Sequence, residues 1–237
     1  MKIQKPTLGD KIVNFHSSLD IDQRILPDGI AVMNPFKESP YALQVSTAFY
    51  KKFYEDHKVR QMIVGINPGR HGAGVLGVPF TDTKRLQDPC GIAVEGISTH
   101  EPSSVFVYEM IEAYGGVTAF YNKFYINSIS PLGFLKLKNG KETNFNYYDS
   151  KALQDAIQPY AVQWLKKQIS FGLDTSVGYC LGAGKNFKFL SALNAEHHFF
   201  EKIIPLEHPR YIQQYKSKEK EAYITKYLES FSDPSLT

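Results

Sequence analysis

Residues 63–80 read IVGINPGRHGAGVLGVPF, from Ile63 to Phe80. The apolar run Met62 to Ile66 leads into Asn67-Pro68-Gly69; Gly72, Gly74 and Gly77 follow, and then Val78-Pro79-Phe80. An apolar run of this length, bounded by Gly and Pro, predicts a buried strand. Its end delivers a polar side chain, Asn67, into a glycine-rich loop. In open α/β sheets, sites sit at the carboxyl ends of strands. A loop that is rich in glycine only because it turns often is the plainer alternative, so the question is whether other segments point to the same place.

Three other segments share the pattern. Lys123 to Ile129, KFYINSI, predicts a second strand with Asn127 at its end, followed by Ser128, Ser130, Pro131 and Gly133. Ser176 to Leu181 predicts a third strand, running into Gly182-Ala183-Gly184-Lys185 and a helix over Asn186 to Leu193. Helix-start N–H groups attract anions, but the Gly-x-x-x-x-Gly-Lys-Ser/Thr spacing of a nucleotide loop is absent, and a tight structural turn is an equal reading. Phe200 to Leu206 predicts a fourth strand, ending at Glu207-His208-Pro209-Arg210-Tyr211.

Helical patterns separate these strands. Asp10 to Leu19 carries apolar residues on one face, and Ser39-Pro40 opens a helix to about Glu55 with a good cap and a favoured first residue. Glu101-Pro102 starts another, stopped by Gly115-Gly116, and Asp149 or Ser150 caps one that reaches Phe171. Pro159 is expected to kink or divide that helix. Gln213 to Phe231 predicts a single amphipathic helix. Leu26 to Phe36 reads as turns around a short extended piece. Thr81 to His100 is a long irregular span, and such spans are more often functional than idle. Leu135 to Tyr148 is polar and reads as a surface excursion, with a hairpin around Asn139-Gly140. The last residues, SDPSLT, read as frayed. The expected fold is α/β: a three-layer α/β/α sandwich around a four-stranded, mostly parallel sheet, in a single domain over residues 1–237.

Composition sets bounds. The chain has 237 residues, 43% hydrophobic and 22% charged, as is ordinary for a globular domain. No apolar run approaches the roughly 20 residues that cross a bilayer, and the first residues lack the apolar core of a secretory signal. Cys90 and Cys180 are the only cysteines, too few for a four-cysteine zinc site or an iron–sulfur cluster. Two buried, reduced thiols suit a cytoplasmic protein. The net charge of +3 permits nucleic-acid binding without arguing for it.

Taken together, the motifs resemble the uracil-DNA glycosylase superfamily, and most closely its SMUG-type (single-strand-selective monofunctional) branch. The resemblance rests on Gly65-Ile66-Asn67-Pro68-Gly69, on Gly77-Val78-Pro79-Phe80 at the family's interval, on Asn127 at a strand end and on His208-Pro209 after the last strand. It spans roughly residues 60 to 215. It implies hydrolysis of the N-glycosidic bond to a damaged base flipped out of DNA, without metal or other cofactor, by a monomer. It also implies that Asn67 orients the attacking water and that His208 stabilises the departing base. By the same resemblance Phe80 is expected to stack on that base, Asn127 to read its amide edge, and Ile66 and Gly69 to complete the base pocket. Gly69 stands where some branches carry a tyrosine that blocks the 5-methyl group of thymine, so room for 5-substituted uracils is expected. The family's Ser-Pro and wedge residue after His-Pro are replaced here by Arg210-Tyr211-Ile212-Gln213, so Arg210 or Tyr211 is expected to contact phosphate or fill the emptied stack, with Gln213 beside them. Arg70, His71, Ser130, Gly184 and Lys185 are the further DNA contacts expected. A non-catalytic relative that binds damaged bases, and a nucleotide-binding protein using the Gly182 to Lys185 turn, are the competing expectations.

Overall fold

The computed structural model describes residues 5–138 and 140–232. Seven strands are present among them: β1 (Ile30–Met33), β2 (Gln61–Gly65), β3 (Phe124–Ser128), β4 (Gly133–Lys138), β5 (Lys141–Phe145), β6 (Asp174–Leu181) and β7 (Lys202–Leu206). Four of them form the expected sheet in the order β3-β2-β6-β7, parallel at every pairing. Every residue of β2 and β3 is buried, as a parallel sheet covered on both faces requires.

The covering layers follow from side-chain alternation along β3. Phe124 points to one face, where it packs on Tyr114, Phe120 and Phe231 from the helices Gly116–Lys123 and Lys220–Ser232 and the end of Pro102–Ala113. Tyr125 points to the other, against Tyr54 and Phe171, with its hydroxyl donating to Gln168. The helices Leu8–Ser18, Pro40–Tyr54 and Lys151–Ile169 form that layer. Cys90 and Cys180 are buried and unpaired.

The caps hold where they were expected. Ser39 accepts from the Ala42 N–H and Ser150 from the Leu153 N–H; the long helix stops at Ile169, two residues short of the expected Phe171, and Gly172, φ +96°, lies in the turn that follows. Pro159 does not divide that helix, which runs unbroken over Lys151–Ile169. Pro159 is exposed, so the Asp155 carbonyl that loses its partner can turn to water.

The expected helix from Gln213 to Phe231 is two helices, Pro209–Tyr215 and Lys220–Ser232, with a 3₁₀ turn at Ser217–Glu219. His208 caps the first, and Pro209 supplies its first residue. The break has a packing reason. Ile212 and Ile224 are both buried, yet twelve residues at about 100° each would set them about 120° apart on one continuous helix. A helix over Gly116–Lys123, unanticipated in the sequence, fills the turn before β3, and Thr83–Gln87 forms a short helix inside the irregular span.

The largest departure is a second sheet. β1 pairs antiparallel with β4, and β4 with β5. The expected hairpin exists, with Lys138 opposite Lys141 and Gly140 at φ +72°; Asn139, and Asp233 to Thr237 of the frayed end, lie outside the described residues. The hairpin is no detached excursion, because the chain leaving β5 folds back over the end of β2.

Candidate active site

The carboxyl ends of β2, β3, β6 and β7 open on one cavity of about 550 Å³. Asn67, the first polar residue beyond β2, lines it. Its amide is held from both sides by the end of β5 and the chain after it: Oδ1 accepts from the Tyr147 N–H at 3.1 Å, and Nδ2 donates to the Phe145 carbonyl at 3.3 Å. These bonds fix which end of the amide is which, and they leave Oδ1 a second lone pair.

Phe80, Ser128 and Gly65 meet at the floor. A Cβ on Gly65 would lie 3.0 Å from Ser128 Oγ and 3.3 Å from two ring carbons of Phe80. A Cβ there would make the Phe80 ring or the Ser128 hydroxyl give way by a few tenths of an ångström. Phe80 itself adopts φ +53°, a left-handed backbone that a bulky side chain rarely takes. The strained residue is the one whose ring forms the floor.

His208 closes the far side, its ring 5.6 Å from that of Phe80. The residue lines the cavity and is half-buried, and desolvation lowers its pKa to about 4, aided by the nearby Arg210 charge. The imidazole is therefore neutral near pH 7. Its Nδ1 accepts from the Arg210 backbone N–H at 3.2 Å. An acceptor Nδ1 places the ring's single proton on Nε2.

The helix Pro209–Tyr215 sorts its residues by period. Arg210, Tyr211, Gln214 and Tyr215 line the cavity mouth, while Pro209 and Ile212 are buried. Tyr211 and Tyr215, one turn apart, form an exposed pair with ring centroids 5.7 Å apart. Gly184 and Lys185 form part of the opposite rim, with Lys185 Nζ 5.6 Å from the ring of Tyr148.

Of the residues expected at the site, Ile66, Asn67, Gly69, His71, Phe80, Gly184, Lys185, His208, Arg210 and Tyr211 line this cavity. Four do not. Asn127 is buried on the other face of β3, where its Nδ2 donates to Tyr125 Oη at 2.6 Å and its Oδ1 accepts from the Ser128 N–H. Its neighbour Ser128 is the residue of β3 that reaches the cavity, because successive side chains alternate across the sheet. Ser130 is buried and donates to the Leu132 carbonyl. Gln213 lies off the lining face of its helix, which Gln214 occupies instead. Arg70 is exposed outside the lining, its N–H donating to Asn144 Oδ1.

Several lining residues had no expected role: Ser128, Glu101, Asn144, Tyr148, Asp149 and Asn186. Glu101 caps the helix Pro102–Ala113 through the Ser103 N–H, and a Cβ on Gly72 would strike its side chain at 2.6–2.9 Å. Gly69 has room by contrast, since a Cβ there would meet only Asn144 and Glu101 atoms at 3.6 Å. The one available signal was the alternation of polar and aromatic residues in Asn144-Phe145-Asn146-Tyr147-Tyr148, unusual for a solvated loop. Among the described residues no group of three His, Cys, Asp or Glu side chains is placed to hold a metal ion, and no helix is long and apolar enough to cross a membrane.

Comparison with known proteins places this arrangement. Residues 51–232 match the family model described as the uracil DNA glycosylase superfamily. The crystal structure of wild-type Pedobacter heparinus SMUG2 superposes with a TM-score of 0.94 at 49% identity, covering 98% of this chain and 99% of that one. No curated protein matches significantly. A match over most of the chain, a near full-length neighbour and an asparagine–phenylalanine–histidine cavity at the carboxyl edge of a parallel sheet agree: the chain belongs to the uracil-DNA glycosylase superfamily, as a SMUG-type DNA glycosylase.

Proposed function

We propose that this enzyme excises uracil, and other deaminated bases that share its carbonyl pattern, from DNA as the first step of base excision repair. The observation that carries the reading is the hydrogen bond from the Arg210 N–H to His208 Nδ1 at the cavity wall beside Phe80, which leaves the proton of the neutral ring on Nε2. When the C1′–N bond breaks, the bonding pair leaves with the base and the negative charge spreads onto its carbonyl oxygens. A fixed donor at such an oxygen contributes about 3 kcal/mol to the transition state. Water adds its hydroxyl to C1′, and its remaining proton ends on the base or in solvent. Asn67 orients this water through the free lone pair of Oδ1. An amide is too weak a base to take the proton itself, so leaving-group stabilisation dominates.

A base in a duplex cannot reach this floor without leaving the stack, at a cost of a few kcal/mol. Stacking on Phe80 offsets part of that. Ser128 Oγ lies beside the ring, so its hydroxyl is the group that meets the base edge. A hydroxyl donates or accepts as it rotates, and it discriminates less sharply than a fixed amide. Together with the room at Gly69, this supports acceptance of xanthine and 5-hydroxymethyluracil. Arg210 and Lys185 are the cations of the rim for phosphate, His71 is a further polar side chain of the lining, and Tyr211 and Tyr215 offer ring faces to neighbouring bases. Arg70 remains available to the DNA backbone from outside the cavity. The same reading makes the protein a cytoplasmic monomer that needs no cofactor.

The test is incubation with a labelled single-stranded oligonucleotide holding one uracil, in EDTA, followed by hot alkali. Strand scission at the uracil is expected, and a panel of xanthine, hypoxanthine and 5-hydroxymethyluracil then defines the range. A protein that binds these oligonucleotides and cleaves none would overturn the reading in favour of a damaged-base-binding relative.

A further inference from the structure

Asn67 Nδ2 donates to the adjacent Pro68 carbonyl at 3.3 Å, and the other partners of its amide come from outside its own loop. Its Oδ1 and Nδ2 are gripped by the backbone of Phe145 and Tyr147, residues that belong to the antiparallel sheet and the chain leaving it. What then fixes that backbone? Tyr147 is fully buried, and its hydroxyl donates to Asn186 Oδ1 at 2.7 Å. Asn186 is 1% exposed and spends its Nδ2 on the Leu181 carbonyl at 2.9 Å, with Cys180 Sγ at 3.4 Å. A closed path thus runs from the end of β2, through the chain after β5, to the end of β6. The phenol stays protonated, because burial raises its pKa well above the ordinary range.

We infer that the Tyr147–Asn186 hydrogen bond is a positioning latch: it seats the Tyr147 N–H against Asn67 Oδ1 and so sets the orientation of the water-directing amide. Tyr147 and Asn186 are positioning residues in this account. The inference rests on the role proposed above for Asn67. The plainer role for the same bond is to satisfy two polar groups in a packed interior, as buried groups must be. The two roles differ in one respect. A latch acts only through Asn67, whereas a general packing defect slows the enzyme whether or not Asn67 is present.

A double-mutant cycle separates them. Single-turnover rates on a uracil oligonucleotide would be measured for wild type, Tyr147→Phe, Asn67→Ala and the double variant, with Asn186→Ala as a second way to open the latch. Tyr147→Phe is expected to slow the chemical step by about tenfold, with oligonucleotide affinity unchanged. In the Asn67→Ala background it should have no further effect. An unchanged rate for Tyr147→Phe, or an equal loss in both backgrounds, would overturn the latch. A readout without catalysis completes the test. Hydrogen exchange at the Tyr147 backbone amide should quicken in Tyr147→Phe, in Asn186→Ala and in Asn67→Ala alike, and protection left intact when the latch is opened would contradict it. Should Asn67→Ala itself keep full activity, the role proposed for Asn67 fails, and the exchange measurement alone still decides whether the latch exists.

Discussion

Among the described residues two histidine–asparagine pairs lie close to the same sheet, one lining the cavity and the other buried. His208 and Asn67 line the cavity with Phe80 between β2 and the histidine. His16 and Asn127 lie behind β3, with His16 Nε2 3.4 Å from Asn127 Nδ2. The His16 ring stacks on Phe36 at 4.3 Å and meets the edge of Tyr50, and it is 2% exposed. Burial lowers both imidazoles, to about 3 for His16 and about 4 for His208. Residue type, protonation state and the company of an asparagine are thus shared. The difference is access. Every donor of Asn127 faces another side chain, whereas Asn67 keeps a lone pair and His208 a proton for something outside the protein. A neutral histidine and an amide form a sealed core element or face a cavity according to which side of the sheet they occupy.

The comparison breaks most visibly at His208. His208→Ala should lower the single-turnover rate of uracil excision about 10²–10³-fold, while the loss of the side-chain cap on Pro209–Tyr215 costs only about 1 kcal/mol of stability. Asn67→Ala should cost less, about tenfold to a hundredfold, since it loses orientation of the water and not the charge stabilisation. A larger loss at Asn67 would reverse the order and show that water activation matters more than the leaving group.

The sealed pair should respond in stability instead. His16→Ala removes a ring from a packed site and is expected to destabilise by about 2–4 kcal/mol, read from urea unfolding, with the excision rate of the folded protein kept. Acid sharpens the contrast. Both folded pKa values lie below the ordinary 6.5 of histidine, so the unfolded chain takes up these protons first. Stability is full above about pH 6.5 and falls as pH drops from there toward 4 and 3. The slope is about 1.4 kcal/mol per pH unit for each histidine. Urea midpoints at pH 7, 6 and 5 should show it, and His16→Phe should remove about half of this histidine contribution. The smallest effect belongs to the rim. Tyr215→Ala should weaken binding of a single-stranded oligonucleotide by about fivefold, near the lower end of one base–aromatic stack, measured by fluorescence anisotropy.

The two sheets differed in how plainly the sequence declared them. The parallel sheet is visible because its strands are apolar runs with Gly or Pro at their ends, and burial on both faces forces that composition. β5, Lys141–Phe145, reads Lys-Glu-Thr-Asn-Phe and is exposed over its first three residues. Its strand state comes from pairing with β4, a tertiary cause that leaves no apolar signature. The same limit hid Asn144, Tyr148 and Asp149, which reach the cavity only because that hairpin folds back. Asn67, Phe80 and His208 were legible because they follow strand ends directly or occupy a spaced motif. Asn127 and Ser128 were not separable. Alternation says they face opposite ways, but which face opens on the cavity depends on where the helices pack.

Asn127 is accordingly the position that tests the account most directly. Single-turnover excision of uracil by Asn127→Ala, compared with wild type under conditions where both are folded, is the decisive measurement. A rate within about twofold of wild type, joined to a stability loss of about 1–3 kcal/mol from the Tyr125 and Ser128 partners left behind, is the result predicted for a sealed structural amide. A folded Asn127→Ala protein that no longer excises uracil would show that this asparagine reads the base after all, and would contradict the division between the two pairs.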